Sequence, residues 1–395
     1  MKVGIEKKIE EIAKCIIDKI KETKPDKIGG LYDGEFGILL FLYYYSEYAN
    51  NDDVENITNN YVESLLNKLG SNNSHTFCGG LSGILYLFEL LREKGIVDIE
   101  ISDVEESLNT FLINRIKRDL QINNFDFMHG ALGGGLYFLK KKSHRKIIHE
   151  IIDSLYATAE MDNESGGLKW KSIIDFKNQV IGYNISLSHG MSSIVLFLCK
   201  ALKLRINPNK SLKLINGSLK YILNQRIDLN QCNSLFPSFS IESDPEPLLG
   251  SRLAWCYGDL GVAYTLWNAG KAIDNKKWES EGLFILLEST KRQTKDQSRI
   301  IEAGICHGSA GLVMIYRRLY IETKNKLFLD AVHYWIQQTI YFAQFRNGLA
   351  GYKSLNINKW DNDYSLLGGI AGIGLSFISY LKEDCQFWDE VFLLQ

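Results

Sequence analysis

The sequence predicts an all-α fold in which helices that are apolar on every side alternate with amphipathic helices. One observation behind this prediction is a glycine motif, followed by an apolar helical stretch, that recurs seven times along the 395 residues. Recurrence at this spacing is typical of repeat architectures. A second observation is that the chain has only five prolines, as expected where few helix interiors are interrupted.

The repeated motif has the form x-Gly-x-x-Gly and leads into an apolar, often aromatic, run. Its copies read "YDGEFGILLFLYYY", "CGGLSGILYLFELL", "MHGALGGGLYFL", "SHGMSSIVLFL", "CYGDLGVAYTLW", "CHGSAGLVMIY" and "LGGIAGIGLSFI". The first glycines of the copies are Gly34, Gly80, Gly130, Gly190, Gly258, Gly308 and Gly369. Intervals of 46 to 68 residues separate these glycines, which is long enough for two helices in each repeat.

The run after each motif, such as "GILLFLYYY", has no polar face and predicts an inner helix. The segments between motifs are amphipathic and predict outer helices; one covers 102–119, where Ser102 and Glu105 are expected to form a capping box. Seven alternating pairs predict an α/α toroid (barrel), with an open helical solenoid as the competing geometry. We expect one domain over residues 1–395.

The seven glycine motifs are expected at the same end of the inner helices, where small residues let loops converge. The longer intervals contain "GGLKWKSI", "NSLFPSFSIES" and "NGLAGYKSLNINKW". Their Gly, Pro and Ser residues beside β-compatible residues predict loops and small strands that border this face. We expect the functional site on this face.

The composition is that of a soluble globular protein, with 45% hydrophobic residues, 23% charged residues and a net charge of −2. The sequence has no stripe of basic residues of the kind that binds nucleic acids. It also has no apolar run of the kind that forms a membrane span or a signal peptide. We therefore expect a cytoplasmic protein without membrane insertion. The seven cysteines are scattered and odd in number, which favours reduced thiols and leaves metal binding open.

Alignment on the first glycine places cysteines and histidines in a common register. The positions just before that glycine hold Cys78, Cys256, Cys306, His129, His189, Tyr257 and His307. In a ring of seven repeats the fifth and sixth are neighbours, so Cys256, Cys306 and His307 could reach one metal ion. Cys78, in the second repeat, would be too far away.

Two thiolates and one imidazole suit zinc, and three protein ligands leave a fourth position open, as in catalytic sites. The sequence therefore predicts one Zn²⁺ per chain. The alternative for Cys306 and His307 is a buried small residue beside a histidine that caps a helix.

With these motifs the sequence resembles the lanthionine synthetase C-like family, the cyclases that close thioether rings in lanthipeptides. The resemblance covers essentially the whole chain and is carried by "SRLAWCYG" (251–258), "CHGSAGL" (306–312), "SHG" (188–190), "FDFMHG" (125–130) and "DYSLLGGIAGIGL" (363–375). It implies a toroid of seven inner and seven outer helices with a single zinc held by Cys256, Cys306 and His307.

The resemblance also implies catalytic or substrate-contacting roles for Asp126, His189, Arg252 and Tyr257. Two motifs depart from the family pattern. Ser192 and Ser193 replace a usual proline-glycine pair, and Asp259 and Leu260 stand where a proline is common.

The chemistry that the resemblance implies is Michael addition of peptide cysteine thiolates to dehydrated Ser/Thr residues of a ribosomal precursor peptide. His189 would supply the proton, with a loop histidine as the alternative. Asp126 would orient His189 or accept the thiol proton, unless it is an N-cap. Arg252 would offer a positive charge to the substrate, and the alternative for it is a structural ion pair. Tyr257 would donate a hydrogen bond, and the alternative for it is simple packing.

The resemblance further implies a dehydratase and a membrane exporter as partners, and membrane association through them. Three other functions remain open at this point. The chain could add glutathione or another small thiol to dehydroamino acids, or serve as a zinc-stabilised, non-catalytic peptide-binding scaffold. A helical glycosidase would need two carboxylates flanking a cleft, and the register offers no convincing pair.

Overall fold

The computed structural model describes residues 2–22, 28–96, 99, 101–175, 178–228, 232–243, 250–356, 359–382 and 387–394. Its helices are α1 (Lys2–Glu22), α2 (Glu35–Ala49), α3 (Asp52–Leu66), α4 (Leu81–Glu93), α5 (Ser102–Gln121), α6 (Ala131–Lys141), α7 (Arg145–Thr158), α8 (Met191–Lys203), α9 (Pro208–Asn224), α10 (Asp259–Ala272), α11 (Lys276–Ser289), α12 (Lys295–Ser298), α13 (Ser309–Thr323), α14 (Lys326–Tyr341) and α15 (Ile370–Leu381). Short 3₁₀ turns cover Leu69–Ser71 and Trp388–Phe392.

Every predicted inner helix is present, and each begins one residue after the first glycine of its motif. These helices are α2, α4, α6, α8, α10, α13 and α15. They are buried over most of their length, as in α2, where every residue from Phe36 to Tyr44 is buried. An all-round apolar helix is stable in water only when other elements cover it.

The outer helices are amphipathic and bury one stripe each. They are α1, α3, α5, α7, α9, α11 and α14. The capping box predicted at Ser102 is wrong, because Ile101 is the N-cap residue and no side chain caps this helix. The Ile101 carbonyl accepts the N–H groups of Val104 and Glu105, so Ser102 already lies inside the first turn.

The chain divides into two compact units. Unit 1 comprises Met1–Ile99 and Ile300–Gln395, and unit 2 comprises Glu100–Arg299. Within unit 1 the inner helices pack side by side in the order α13, α15, α2, α4. Within unit 2 the order is α6, α8, α10, and outer helices pack against them. The single domain expected over residues 1–395 stays a prediction.

Within unit 1 the four glycine motifs are joined by backbone hydrogen bonds between equivalent residues, those two positions before the first glycine. Cys306 N–H donates to Leu367 O at 3.0 Å, Leu367 N–H to Tyr32 O at 3.0 Å, and Tyr32 N–H to Cys78 O at 2.9 Å. The motifs of this unit therefore lie at one end of the inner helices, as predicted.

Three antiparallel hairpins complete the fold. They are formed by β1 (Glu160–Met161) with β2 (Leu168–Lys169), β3 (Lys171–Asp175) with β4 (Val180–Tyr183), and β5 (Ser354–Asn356) with β6 (Lys359–Asp361). Two of the three predicted loop and strand segments thus contain strands, although residues 357 and 358 lie outside the described residues. Residues 233–243 contain no strand.

Two of the motif glycines show why a side chain is excluded at these positions. A Cβ on Gly190 would lie 2.3 Å from the carbonyl oxygen of Asn184. Gly258 has φ of +82°, and a Cβ there would lie 2.0 Å from the Ser251 hydroxyl. Both positions need glycine because the preceding loop folds directly onto the helix start. No helix in the described part of the chain is long and apolar enough to cross a bilayer.

Candidate functional site

The predicted site residues are divided between the two units, and each group is described within its own unit. Unit 2 contains Asp126, His189, Arg252, Cys256 and Tyr257, whereas unit 1 contains Cys306 and His307.

Unit 2 brings Asp126 and His189 into direct contact. The loop before α6 carries Asp126, the loop before α8 carries His189, and His189 Nδ1 lies 2.7 Å from Asp126 Oδ2. Both side chains are largely buried, with 12% and 21% exposure. A carboxylate at this distance holds the proton on Nδ1, so Nε2 is the nitrogen that can exchange a proton with a substrate.

Asp126 stands four positions before its motif glycine, where other motifs carry a hydroxyl side chain. Each of these side chains accepts the N–H of the residue just before the glycine. The pairs are Asp126 with His129 (2.7 Å), Ser186 with His189 (3.2 Å), Thr76 with Gly79 (3.2 Å) and Ser365 with Gly368 (3.3 Å). A carboxylate has a second oxygen, so Asp126 can hold its own loop through Oδ1 and His189 through Oδ2.

The electrostatics of the pair favour its charged form. Burial works against a charged imidazole, but the charge and hydrogen bond of Asp126, with a further contribution from Cys256, hold the pKa of His189 above its ordinary value. Burial likewise opposes the carboxylate, yet His189 and His129 hold the pKa of Asp126 below its ordinary value. Unit 2 therefore contains a buried carboxylate that supports a protonated imidazole.

Other rings surround His189. The His129 ring stacks on it with centroids 5.6 Å apart and planes inclined by 17°. The Tyr257 ring lies 6.2 Å from His189 and makes an edge contact of 5.5 Å with Phe239. The Cys256 carbonyl accepts the Ser188 N–H at 3.2 Å, so the backbone beside Cys256 is fixed to the loop that carries His189.

Arg252 is not brought into this cluster. It lies partly exposed in the loop before α10, and its side chain makes no hydrogen bond or ion pair with the described residues. The loop itself is anchored by a buried ion pair. Arg292 binds the Ser251 carbonyl at 2.7 Å and Asp259 Oδ2 at 3.0 Å.

The Asp259 carboxylate also accepts the N–H groups of Leu235 and Phe236. These contacts give a structural role to the residue that departs from the family pattern, because Asp259 joins the loop 251–258 to the strandless segment 233–243. Arg292 and Asp259 form a scaffold that fixes the backbone around Cys256 and Tyr257.

In unit 1, Cys306 and His307 occupy the loop before α13. Cys306 is partly buried, and its backbone is fixed by the hydrogen bond to Leu367 described above. The Nδ1 atom of His307 contacts the carboxylate of Glu302, whose side chain is only 2% exposed. Glu302 Oε2 also accepts the Leu355 N–H of β5 at 2.8 Å.

The environment of His307 fits a metal ligand. Histidines that bind metals usually donate their other ring N–H to a carboxylate or carbonyl, which fixes the tautomer and raises the basicity of the ligating nitrogen. Glu302 provides such a carboxylate and leaves Nε2 of His307 for a ligand. Within the described residues of either unit no group of three His, Cys, Asp or Glu side chains that could hold a metal ion is found. The zinc set, which draws on residues of both units, stays a prediction.

The sequence analysis assigned no role to three residues of this region. His129 has the same register position as His189, so the alignment of motifs could have predicted that it lies beside the Asp126–His189 pair. Glu302 and Arg292 gave no such signal, because Glu302 lies outside the motif and Arg292 follows a different helix.

The Asp126–His189 pair lines a pocket of about 430 Å³ within unit 2. This volume lies within the range of small-ligand sites, about 300–1,000 Å³. The pocket makes Asp126 and His189 accessible to a molecule from solvent, which is the first requirement of an acid–base site.

Comparison with known proteins agrees with the sequence motifs. The family model "Lanthionine synthetase C-like protein" matches residues 26–393. A curated protein, glutathione S-transferase LANCL1 of Danio rerio, is 23% identical over 383 residues, which are 93% of this chain and 86% of the relative.

Among solved structures, nisin cyclase matches with a TM-score of 0.77 at 19% identity and covers 99% of this chain and 97% of its own. A family 76 glycoside hydrolase from a bovine Bacteroides thetaiotaomicron strain matches with a TM-score of 0.44 at 16% identity, over 76% of this chain and 67% of its own. The match to nisin cyclase confirms the predicted fold class, the α/α toroid. Because the family model spans nearly the whole chain, the protein belongs to the lanthionine synthetase C-like family.

Proposed function

We propose that the protein is a zinc-dependent lanthipeptide cyclase. It would join cysteine thiols of a dehydrated precursor peptide to dehydroalanine or dehydrobutyrine residues and so form lanthionine and methyllanthionine rings. The observation that carries the proposal is the buried Asp126–His189 pair, at 2.7 Å, in a pocket open to substrate. Family membership supports the same reaction class.

Cys256, Cys306 and His307 would hold the zinc, with Glu302 orienting His307. The ion would supply a deprotonated, reactive substrate thiol at neutral pH, since zinc-bound thiols lose their proton. The remaining steps belong to the protein's own side chains.

The addition forms one S–C bond at the β-carbon and breaks the carbon–carbon π bond, which leaves an enolate that must take up a proton at the α-carbon. His189 is the proton donor in this proposal, because Asp126 keeps the ring charged and fixes Nδ1, so that Nε2 carries the proton to be transferred. The thiol proton lost at the start equals the proton gained at the α-carbon.

Two further residues have roles in the proposal. Tyr257, whose ring lies 6.2 Å from His189, would donate a hydrogen bond to the peptide. Arg252, whose side chain has no partner among the described residues, would bind the carbonyl oxygen on which the enolate charge develops.

The proposal also covers partners and location. The substrate would be a ribosomal peptide that a dehydratase has already processed and that a membrane exporter removes. The protein would work in the cytoplasm and meet the membrane through these partners.

A second candidate function is addition of glutathione to dehydroamino acids. It is favoured by one observation, the similarity at 23% identity to a glutathione S-transferase of Danio rerio. The protein would then activate an external thiol with the same residues.

One assay tests both functions. A synthetic peptide that contains a dehydroalanine and a cysteine is incubated with the zinc-loaded protein, and unreacted thiols are counted over time with an alkylating reagent, because cyclisation leaves the peptide mass unchanged. Faster loss of thiols than in the buffer control supports the cyclase. Failure to close rings, together with a mass increase when glutathione is added, supports the second function. If neither ring closure nor glutathione addition occurs, the outcome supports a non-catalytic scaffold.

A further inference from the structure

The pocket that holds the Asp126–His189 pair has apolar walls. The loop after α5, the β3–β4 hairpin and the start of α8 enclose it, and their apolar contributions are Ile122, Phe125, Ile173, Ile181, Met191 and Ile194. Asp126 and His189 line the same pocket as these apolar side chains, so the walls limit which part of a substrate can reach the pair. Any group that receives a proton from His189 must bring its neighbouring atoms against these walls.

Three of the isoleucines that line the pocket are exposed to solvent. Ile122 is 73% exposed, Ile173 37% and Ile181 64%. Ile173 and Ile181 are cross-strand partners in the β3–β4 hairpin and therefore lie on the same face of it. Exposed apolar side chains that cluster beside the Asp126–His189 pair indicate a binding surface. Their exposure to water is unfavourable in the free protein, and a ligand that covers them removes this cost.

The charge of the pocket argues against an anionic ligand. Among the described residues that line it, Lys171 is the one lysine or arginine. Its ammonium lies 3.3 Å from the Glu160 carboxylate, and the charged His189 imidazole is already paired with the Asp126 carboxylate. The two carboxylates of glutathione would find no unpaired cation here, whereas an uncharged apolar peptide segment would bury the exposed isoleucines.

We propose that this pocket binds the apolar side chain of the residue next to the dehydroamino acid in the substrate peptide, and so selects peptides with an apolar residue at that place. The inference rests on the proposed function and adds the substrate class. Ile181 is the specificity-determining residue in this proposal, because it lines the pocket and, at 64% exposure, is the more exposed member of the hairpin pair and contributes little to the core.

The experiment compares two synthetic dehydroalanine peptides, identical except for Leu or Asp beside the dehydroalanine. The unmodified protein should close the Leu peptide about tenfold faster in kcat/KM, as expected for one apolar side chain. Ile181→Asp should abolish this preference, and Ile181→Lys should reverse it in favour of the Asp peptide. Leu212→Asp on α9 is the matched control, since Leu212 is 42% exposed and does not line the pocket.

A second measurement separates this inference from the proposed function. Labelled versions of both peptides, with Ala in place of Cys and of dehydroalanine, cannot react, and their binding is followed by fluorescence anisotropy. Tighter binding of the Leu version that is lost in Ile181→Asp supports the pocket even if no ring is ever closed. Equal binding of both versions, or a preference that survives in both Ile181 variants, would overturn the inference while leaving ring closure intact.

Discussion

The Asp126 carboxylate joins two loops: its Oδ2 lies 2.7 Å from His189 Nδ1, and its Oδ1 accepts the His129 N–H of its own loop. The His189 ring is therefore held in one orientation, with its Nδ1 proton directed at Asp126. If His189 supplies the proton, His189→Asn should slow ring closure by about 10²–10⁴-fold, the usual loss when an acid–base group is removed. Thiol counting over time measures this effect.

The control for His189→Asn is metal content and fold. The variant should keep its zinc and its helical circular dichroism signal, because His189 is not among the proposed ligands. Activity equal to that of the unmodified protein would remove His189 from the mechanism and leave Asp126 or water as the proton source.

The pH dependence of the reaction follows from the same pair. Protonated His189 is the active form, and its pKa is raised despite burial because Asp126 stabilises the charged ring. Activity should therefore fall as pH rises through this raised pKa. In Asp126→Asn the amide cannot stabilise the cation, so the falling limb should move to lower pH by about one to two units.

Single-turnover rates across pH, at fixed zinc content, measure this shift. His129, Tyr257 and Cys256 also face or influence His189 and remain in place in the variant, so a shift reports on Asp126. If activity falls at the same pH in Asp126→Asn as in the unmodified protein, a group other than the Asp126–His189 pair determines the pH dependence.

The zinc assignment is tested by two cysteines that share one register position. Cys306→Ala should lose most of its zinc, since it removes one of three protein ligands. Cys78→Ala is the matched control and should keep it, because Cys78 is not in the proposed set. Elemental analysis of the purified variants decides, and full zinc content in Cys306→Ala would mean that the ligands are misassigned.

Glu302 should affect zinc affinity without binding zinc itself. Its buried carboxylate contacts His307 Nδ1 and accepts the Leu355 N–H, so Glu302→Gln removes the charge that supports the ligand. We expect zinc affinity to fall by about 10–100-fold, as measured by competition with a chelator. Glu105→Gln, which weakens a partly buried contact with Lys141 in the other unit, should leave the affinity unchanged.

The Arg292–Asp259 pair should dominate the stability of the loop that carries Cys256. Both side chains are less than a tenth exposed, at 9% and 6%. Arg292→Met leaves a buried carboxylate without its partner, which costs about 3–5 kcal/mol. Lys291→Met, which breaks an exposed pair with Glu288, should cost at most about 1 kcal/mol. Urea unfolding of both variants makes the comparison, and equal losses would contradict it.

The sequence by itself determined the helical repeat. Each inner helix starts directly after its predicted glycine, because an all-round apolar run must be buried and a glycine is needed where the loop folds back onto the helix start. The register of Cys78, Cys256 and Cys306 was equally visible, since it depends only on position relative to that glycine. A local signal sufficed in each case.

Only the tertiary structure decided which side chains meet. The Asp126–His189 contact joins residues 63 positions apart, and the Glu302 carboxylate beside His307 also accepts the Leu355 N–H of β5, which is 53 positions away. In the sequence, Asp259 is only a departure from the family motif. In the structure, its carboxylate is the partner of Arg292. Periodicity reports which face of an element is buried, whereas contacts between loops depend on how separate repeats pack, and no local pattern encodes that packing.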